Sequence, residues 1–203
     1  MYKRQILAGY YAKRMGLPVG RLVCASNAND VLTEFISTGV YDRRRPFYKT
    51  TSPSMDILVS SNLERLLYLL SGDTALVSGL MNSLNREGVY TVPGALLEQI
   101  QKKFWAAYCD DAKAQEIMGR VYRDWGYLCD PHTASGWAAA EEYVSQTGDN
   151  RPMVVLCQDD LAARRLQEEL KGFLSDTAPI LPGRDLTPVS YTHLRAHETL
   201  SDL

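Results

Sequence analysis

Three short polar strings hold the side chains whose types could bind a small substrate. They are Asn-Ala-Asn-Asp at 27–30, Thr-Ser-Pro-Ser-Met-Asp at 51–56 and Asp-Pro-His-Thr-Ala at 130–134. Amides and hydroxyls can donate hydrogen bonds to a carboxylate or a phosphate, and helix N-termini add favourable backbone donors. The same residue types also build turns and helix caps, so each string keeps a structural interpretation beside the binding one. The candidate site residues are Asn27, Asn29, Asp30, Ser54, Asp56, His132 and Thr133.

His132 is the histidine that could take part in chemistry. Its string predicts a position at a helix N-terminus, where the helix dipole disfavours the imidazolium form, so we expect a neutral imidazole used for packing or orientation. The other two histidines, His193 and His197, lie in the C-terminal tail. Because no second histidine stands close to His132, we predict no metal site.

The basic run formed by Arg43, Arg44 and Arg45, with Lys49 beyond it, has two interpretations. These cations could attract a phosphorylated substrate electrostatically, or they could belong to a solvated loop. Asp42 stands directly beside the run, and the formal net charge of the chain is -2. A nucleic-acid surface is therefore not expected.

The composition bounds the class of protein. The 203 residues are 45% hydrophobic, enough for a buried core in one large domain or two small ones. The four cysteines, Cys24, Cys109, Cys129 and Cys157, show no pairing pattern and predict buried reduced thiols, as in a cytoplasmic protein. No membrane-length apolar run or signal pattern occurs, so we predict no membrane partner. The sequence indicates no oligomeric state.

Several common catalytic motifs are missing from the sequence. It contains no nucleophile elbow, Walker loop, HExxH string or dinucleotide fingerprint. A Ser-His-Asp hydrolase built on Ser26 or Ser54 has no supporting spacing.

The first elements predict an open α/β sheet. Residues 6–15 have helical spacing and end at Gly16, and the apolar run 21–25 suits a buried strand. Asn29 or Asp30 can cap the next helix, whose apolar face is Val31, Leu32, Phe35 and Ile36. Ligands of such sheets bind beyond the carboxyl ends of the strands, where the 27–30 string lies.

The middle of the chain predicts a run of helices, and a strand follows. The predicted helices span residues 62–70, 73–85, 94–105, 110–125 and 133–146, and the strand spans 153–157. In the fourth helix, Ile117, Val121 and Trp125 are spaced to share one face. The pattern is that of a helix-rich α/β fold.

Four strings in a fixed order carry a family resemblance. They occupy residues 6–30, 51–65, 127–134 and 152–156. Together they resemble the C-terminal portion of threonine synthase, a pyridoxal-phosphate (PLP) enzyme of fold type II. The resemblance implies a fragment of the large domain of a tryptophan-synthase-β-like enzyme, α/β and helix-rich.

The resemblance also implies a reaction, the PLP-dependent conversion of O-phospho-L-homoserine and water to L-threonine and phosphate. This is a carbon–oxygen lyase reaction of threonine biosynthesis on a small-molecule substrate. In that family the phosphate-binding loop lies just before the position of Ile6, and the Schiff-base lysine lies earlier still. Neither is in this chain, so we predict no catalytic lysine here and no activity of the chain alone. The alternative is a catalytically silent interaction or structural domain with the same fold.

Both ends of the chain look foreign to that family. Back-translation of residues 2–5 and of 188–192 yields inverted copies of one string, so residues 1–5 and 188–203 are predicted to be translated sequencing adapter. An ordinary polar tail is the alternative. Residues 157–187 resemble the start of a transcription-repair coupling factor, which would make the chain a chimera with residues 6–156. The alternative there is a divergent threonine synthase C-terminus.

Overall fold

The computed structural model describes residues 5–149 and 151 of the chain. The helices are α1 (Gln5–Arg14), α2 (Val31–Thr38), α3 (Leu63–Ser71), α4 (Thr74–Glu87), α5 (Gly94–Lys103), α6 (Asp111–Trp125) and α7 (Pro131–Thr147). The strands are β1 (Leu22–Ser26), β2 (Val40–Asp42), β3 (Val89–Thr91) and β4 (Phe104–Tyr108), and a 3-10 turn spans Pro53–Met55. The predictions for the strand at 153–157, the segment 157–187 and the tail 188–203 lie outside the described residues.

The capping residues and the glycine stop signal seen in the sequence agree with the helix ends in the structure. Asp73 and Asp110 cap α4 and α6, with side chains that accept hydrogen bonds from Leu76 N and Lys113 N at 2.9 Å and 2.8 Å. Gly16, with φ of 99°, follows the end of α1 as predicted. Among the described helices, none is both long and apolar enough to cross a membrane.

Strands β1 and β4 form a parallel pair with Leu22 opposite Phe104 and Ser26 opposite Tyr108. The prediction of a helix through residue 105 is therefore wrong, because α5 ends at Lys103 and the chain turns directly into β4. Successive strand residues point to opposite faces, which lets Phe104 enter the core while Trp105 packs edge-on against Tyr143 of α7. This pairing across the fold outweighs the local helical preference of the segment.

Strands β2 and β3 form a short antiparallel ladder that was not predicted from the sequence. Tyr41 stands opposite Tyr90 in the register. Each strand follows a helix that ends at a left-handed glycine, Gly39 or Gly88, both with φ of 79°. The tripeptide Gly-Val-Tyr occurs at both places, and this repeat is a sequence signal for the paired strands.

Two apolar clusters form the core of the described residues. The first joins β1 and β4 to α2–α5 and the ladder, with Phe35, Leu67 and Ile100 fully buried. The second lies between α6 and α7, where Ile117 and Val121 are buried as predicted. Full burial of each such side chain stabilises the fold by about 1.5–3 kcal/mol.

The structure shows where Trp125 and the cysteines, both subjects of sequence predictions, lie relative to the core. Trp125, predicted to share the apolar face of α6, is 44% exposed and packs on Trp137 with ring centroids 5.0 Å apart. Cys24, Cys109 and Cys129 are buried free thiols, as predicted, and Cys157 lies outside the described residues. Burial raises the pKa of the Cys24 thiol to about 11.

Candidate functional site

The candidate site lies where the parallel strands end. The carboxyl ends of β1 and β4 are adjacent, since Ser26 pairs with Tyr108, and the backbone N–H of Cys109 donates to Ser26 O at 2.9 Å. The loop at residues 43–56 is hydrogen-bonded to residues beyond both strand ends. In open α/β sheets this edge is where ligands bind.

Asn29 joins the loop to the end of β1 through the backbone of Tyr48. Its Nδ2 donates to Tyr48 O at 2.8 Å, and its Oδ1 accepts from Tyr48 N at 2.9 Å. The side-chain amide thus pairs with both backbone groups of one residue. Asn29 is 2% exposed, so water does not compete for these bonds.

Asn27 makes a second attachment and is 1% exposed. Its Nδ2 lies 2.7 Å from Asp56 Oδ1, 2.8 Å from Thr50 Oγ1 and 3.1 Å from Ser52 Oγ. Because an amide carries two hydrogens, these acceptors share them. Its Oδ1 accepts from the backbone N–H of Asn29 at 2.9 Å, which couples the two asparagines.

Asp56 receives donors from both sides of the network. Its Oδ1 accepts from Thr50 Oγ1 at 2.7 Å and from Asn29 Nδ2 at 3.1 Å, and its Oδ2 accepts from Thr50 N at 3.1 Å. The predicted helix-capping role is wrong for Asp56, because it ends the 3-10 turn and the next helix starts only at Leu63. The carboxylate instead gathers the donors that the folded loop brings to it.

His132 attaches the 3-10 turn to α7. Asp130 caps this helix by accepting from the backbone N–H of His132 at 2.8 Å, so His132 does lie at a helix N-terminus. The ring Nε2 accepts from Ser54 N at 3.3 Å, and Nδ1 lies 2.9 Å from Asp130 Oδ1. Nε2 is thus the ring atom that faces the 3-10 turn and Nδ1 the one that faces Asp130, and the neutral imidazole stays a prediction.

Asp130 is also the acceptor for Thr133, whose Oγ1 donates to Oδ2 at 2.6 Å. Partial burial acts to raise the pKa of Asp130, but hydrogen bonds from Thr133 and His132 outweigh it and lower the pKa below its ordinary value. The carboxylate is therefore held in its charged form at the helix N-terminus, where the dipole favours it.

A third attachment reaches the end of β4. Asp111 in the first turn of α6 accepts from Thr51 N at 3.1 Å and from Thr51 Oγ1 at 2.9 Å through Oδ1. The loop is thus held at the end of β1, at α6 and at α7. Such triple anchoring gives the turn at Ser54 one defined position.

Asp30 stands apart from this network. It precedes α2 but makes no side-chain capping bond, so the predicted capping role is wrong for its side chain. Its Oδ1 accepts instead from Arg45 Nη1 at 2.6 Å, and Arg45 also pairs with Glu34. The guanidinium draws the carboxylate away from the helix N–H groups.

Most of the arginine run pairs with carboxylates of the protein itself. Besides Arg45, Arg44 pairs with Asp42 at 2.8 Å. Hydrogen bonds from Arg44 lower the pKa of Asp42 to about 2. Two of the three arginines therefore have carboxylate partners, and Arg43 donates instead to Asn85 O at 3.2 Å. Among the described residues, Arg43 and exposed Lys49 are the cations of this loop without an ion pair.

The structure brings together Asn27, Asn29 and Asp56, and it joins Ser54 to His132. Thr50, Tyr48 and Asp111 complete the network and were not predicted. Thr50 and Tyr48 lie just before the 51–56 string. Asp111 follows the capping residue Asp110, and this position was only a weak sequence signal, because only the folded loop shows which groups Asp111 binds. Within the described residues, the hydroxyl of Ser54 makes no hydrogen bond, unlike the other candidate side chains.

No protein-family model matches this chain. The chain is similar to known proteins nonetheless. It is 43% identical over 144 residues to human "Threonine synthase-like 1", covering 70% of this chain and 19% of that protein. It is 37% identical over 158 residues to threonine synthase of Saccharomyces cerevisiae, covering 71% of this chain and 31% of that one.

A solved structure agrees with these matches. The PLP-bound threonine synthase from Brucella melitensis superposes with a TM-score of 0.70 at 37% identity, covering 87% of this chain and 37% of that chain. The chain thus spans only about a fifth to a third of the length of the curated relatives above. The predicted fold class is confirmed, a helix-rich α/β fold shared with the threonine synthases.

Proposed function

We propose that this chain derives from a threonine synthase, the PLP-dependent lyase that forms L-threonine and phosphate from O-phospho-L-homoserine and water. Its similarity to named threonine synthases supports this assignment. The structural observation that carries it is the triply anchored 43–56 loop at the carboxyl edge of β1 and β4, where a ligand of such a sheet is expected. The buried free thiols support the further proposal of a cytoplasmic enzyme.

In this proposal the buried asparagines are positioning residues. Asn27 and Asn29 direct their amides at protein oxygens, so they hold the loop and leave ligand contacts to other groups. Ser54, placed by His132 and carrying a hydroxyl with no protein partner among the described residues, is the group that we expect to face substrate. A hydroxyl is suited to a phosphate or carboxylate oxygen, which accepts its proton.

The described residues do not by themselves form a site for PLP. No lysine takes part in the network around Asn27. The side-chain amides of Asn27 and Asn29 are hydrogen-bonded to the carboxylate of Asp56 within this network. The cofactor of the intact enzyme is proposed to be PLP because the Brucella relative binds it.

The 203-residue chain alone is proposed to be inactive, since the resemblance places the required lysine before Ile6. The test is incubation of the chain with PLP and O-phospho-L-homoserine, followed by assay of released phosphate. A second readout is mass spectrometry after borohydride reduction, which would reveal PLP attached to a lysine. Phosphate release, or a stoichiometric adduct at one lysine, would show the inactivity proposal to be wrong.

A segment exchange tests the parent function directly. Residues 5–149 would replace the homologous segment of the yeast threonine synthase, and growth without threonine and phosphate release would be measured. We expect the hybrid to retain activity, and a hybrid with Ser54→Ala to bind PLP but turn over more slowly. A hybrid that folds and binds PLP yet releases no phosphate would favour the silent-domain alternative instead.

A further inference from the structure

The contact between Ser54 and His132 joins the 3-10 turn of the 43–56 loop to helix α7. The backbone N–H of Ser54 lies 3.3 Å from His132 Nε2. The other backbone hydrogen bonds of the turn stay within residues 52–56. Among the described residues, the bond to His132 is therefore the hydrogen bond recorded between residues 53–55 and an element outside the loop.

This bond requires an uncharged imidazole. A backbone N–H can only donate, so Nε2 of His132 accepts and carries no hydrogen while the bond to Ser54 is made. In the charged form of histidine both ring nitrogens carry a hydrogen. Two donors then face each other, and the bond to Ser54 is lost.

Opposing interactions act on the charge of the His132 ring. The N–H of Ser54 and the N-terminus of α7 favour the uncharged form. The carboxylate of Asp130, with Oδ1 at 2.9 Å from Nδ1, favours the charged form. Asp111 and Asp56, which are hydrogen-bonded to the same loop, add further negative charge on that side. The His132 side chain is 33% exposed, so water can deliver the proton.

The rest of the loop is attached without His132. Thr51 donates to Asp111 Oδ1 from its backbone N at 3.1 Å and from Oγ1 at 2.9 Å. The backbone of Tyr48 is held by the side chain of Asn29. Loss of the bond to His132 therefore frees the turn and leaves these two attachments in place.

We propose that His132 is a pH-sensitive switch for the turn that carries Ser54. With the ring uncharged, Nε2 holds the Ser54 N–H and the turn stays attached to α7. When the ring takes up a proton, the bond is lost and residues 53–55 are released from α7. The switch itself does not depend on the proposed function, whereas its effect on a substrate facing Ser54 rests on that function.

Amide hydrogen exchange of the full chain, followed by NMR, tests the switch. Exchange would be measured between about pH 5 and 8, where histidine ordinarily changes charge, and corrected for the intrinsic pH dependence of exchange. The ring signals of His132 would be titrated in the same samples. We expect the protection of the Ser54 amide to fall about tenfold as His132 becomes charged, the factor that one hydrogen bond provides. The Thr51 amide, which donates to Asp111, is the internal control and should keep its protection.

Two variants separate His132 from the other histidines of the chain, His193 and His197. His132→Gln supplies an uncharged acceptor that does not titrate, so the protection of Ser54 should no longer change with pH. His132→Ala removes the acceptor, so Ser54 should exchange at the faster rate at every pH.

Three results would overturn the proposal. They are unchanged protection of Ser54 while His132 titrates, joint loss of protection at Ser54 and Thr51, and retention of the pH dependence in His132→Gln. If neither variant folded, the comparison of the Ser54 and Thr51 amides with the His132 ring in the wild-type chain would decide the question. The experiment uses neither cofactor nor substrate, so failure of the switch is distinguishable from failure of the proposed function.

Discussion

The side-chain amide of Asn29 is paired with the backbone of Tyr48 in both directions, Nδ2 donating to the carbonyl at 2.8 Å and Oδ1 accepting from the N–H at 2.9 Å. An amide side chain here acts as a backbone unit would in a sheet ladder. It fixes a loop nineteen residues away in sequence against the end of β1. This buried side chain is therefore one of the attachments that fix the position of the candidate site.

Replacing Asn29 by alanine is expected to lower the free energy of unfolding by about 3 kcal/mol, because it leaves buried partners of the amide without hydrogen bonds. Urea denaturation monitored by circular dichroism measures this change. Asn82→Ala on the exposed surface of α4 is the matched control and should change stability by less than about 0.5 kcal/mol. Equal effects of the two variants would show that the network contributes no stability.

Replacing Asn27 by aspartate places a second carboxylate next to Asp56, whose Oδ1 lies 2.7 Å from the present amide nitrogen. We expect a loss of about 3 kcal/mol near neutral pH, since the new charge at buried position 27 meets the carboxylate of Asp56 and two donor hydrogens disappear. The double variant Asn27→Asp with Asp56→Asn restores one donor and one charge, so it should recover part of the loss. A double variant less stable than Asn27→Asp would contradict the proposed pairing.

Asp130 predicts a pH dependence of stability. Its pKa is lowered in the folded state, so the unfolded chain binds the proton more readily. The stabilisation is present above the unfolded value of about 3.9 and is lost as the pH falls through the lower folded value. In Asp130→Asn, which keeps an acceptor but cannot titrate there, unfolding curves recorded below about pH 4 should depend less steeply on pH.

The same position tests the helix cap. Asp130→Ala removes the acceptor for His132 N and Thr133 N and should cost about 1 kcal/mol at neutral pH. Asp130→Asn retains most of that stability because asparagine also caps helices. If Asp130→Ala and Asp130→Asn lost the same stability, the charge of the carboxylate, and not its capping hydrogen bonds, would be the source of the stabilisation.

Gly88 and Gly72 form a pair that separates backbone strain from steric contact. Both end helices in the left-handed region, with φ of 79° and 66°. An added Cβ at Gly88 would lie 2.7 Å from Arg44 Cγ, whereas at Gly72 it would meet nothing within 4 Å. Gly72→Ala should cost about 1 kcal/mol, and Gly88→Ala should cost more.

Chemical denaturation of the two glycine variants measures the difference. Removing the contact by Arg44→Ala in the Gly88→Ala background should bring its cost close to that of Gly72→Ala. If the cost of Gly88→Ala stayed the same in the Arg44→Ala background, contact with Arg44 would not be its cause.

Local sequence signals predicted most helices because a cap acts over a few residues. Asp73, Asp110 and Asp130 each precede a helix and accept from its first N–H groups. The same local reasoning failed for Asp30 and Asp56. Their carboxylates are drawn to Arg45 and to Thr50 and the asparagines, partners that only the folded chain brings near.

The sequence by itself determined the helix-rich α/β class and the strings at 27–30, 51–56 and 130–134, since apolar spacing and capping residues act locally. Only the tertiary structure decided that residues 104–108 are a strand beside β1 and that Tyr41 stacks on Tyr90. It also decided that Ser54 meets His132, seventy-eight residues away in sequence. Such contacts depend on burial and hydrogen bonding between segments distant in the chain, for which local residue patterns carry little information.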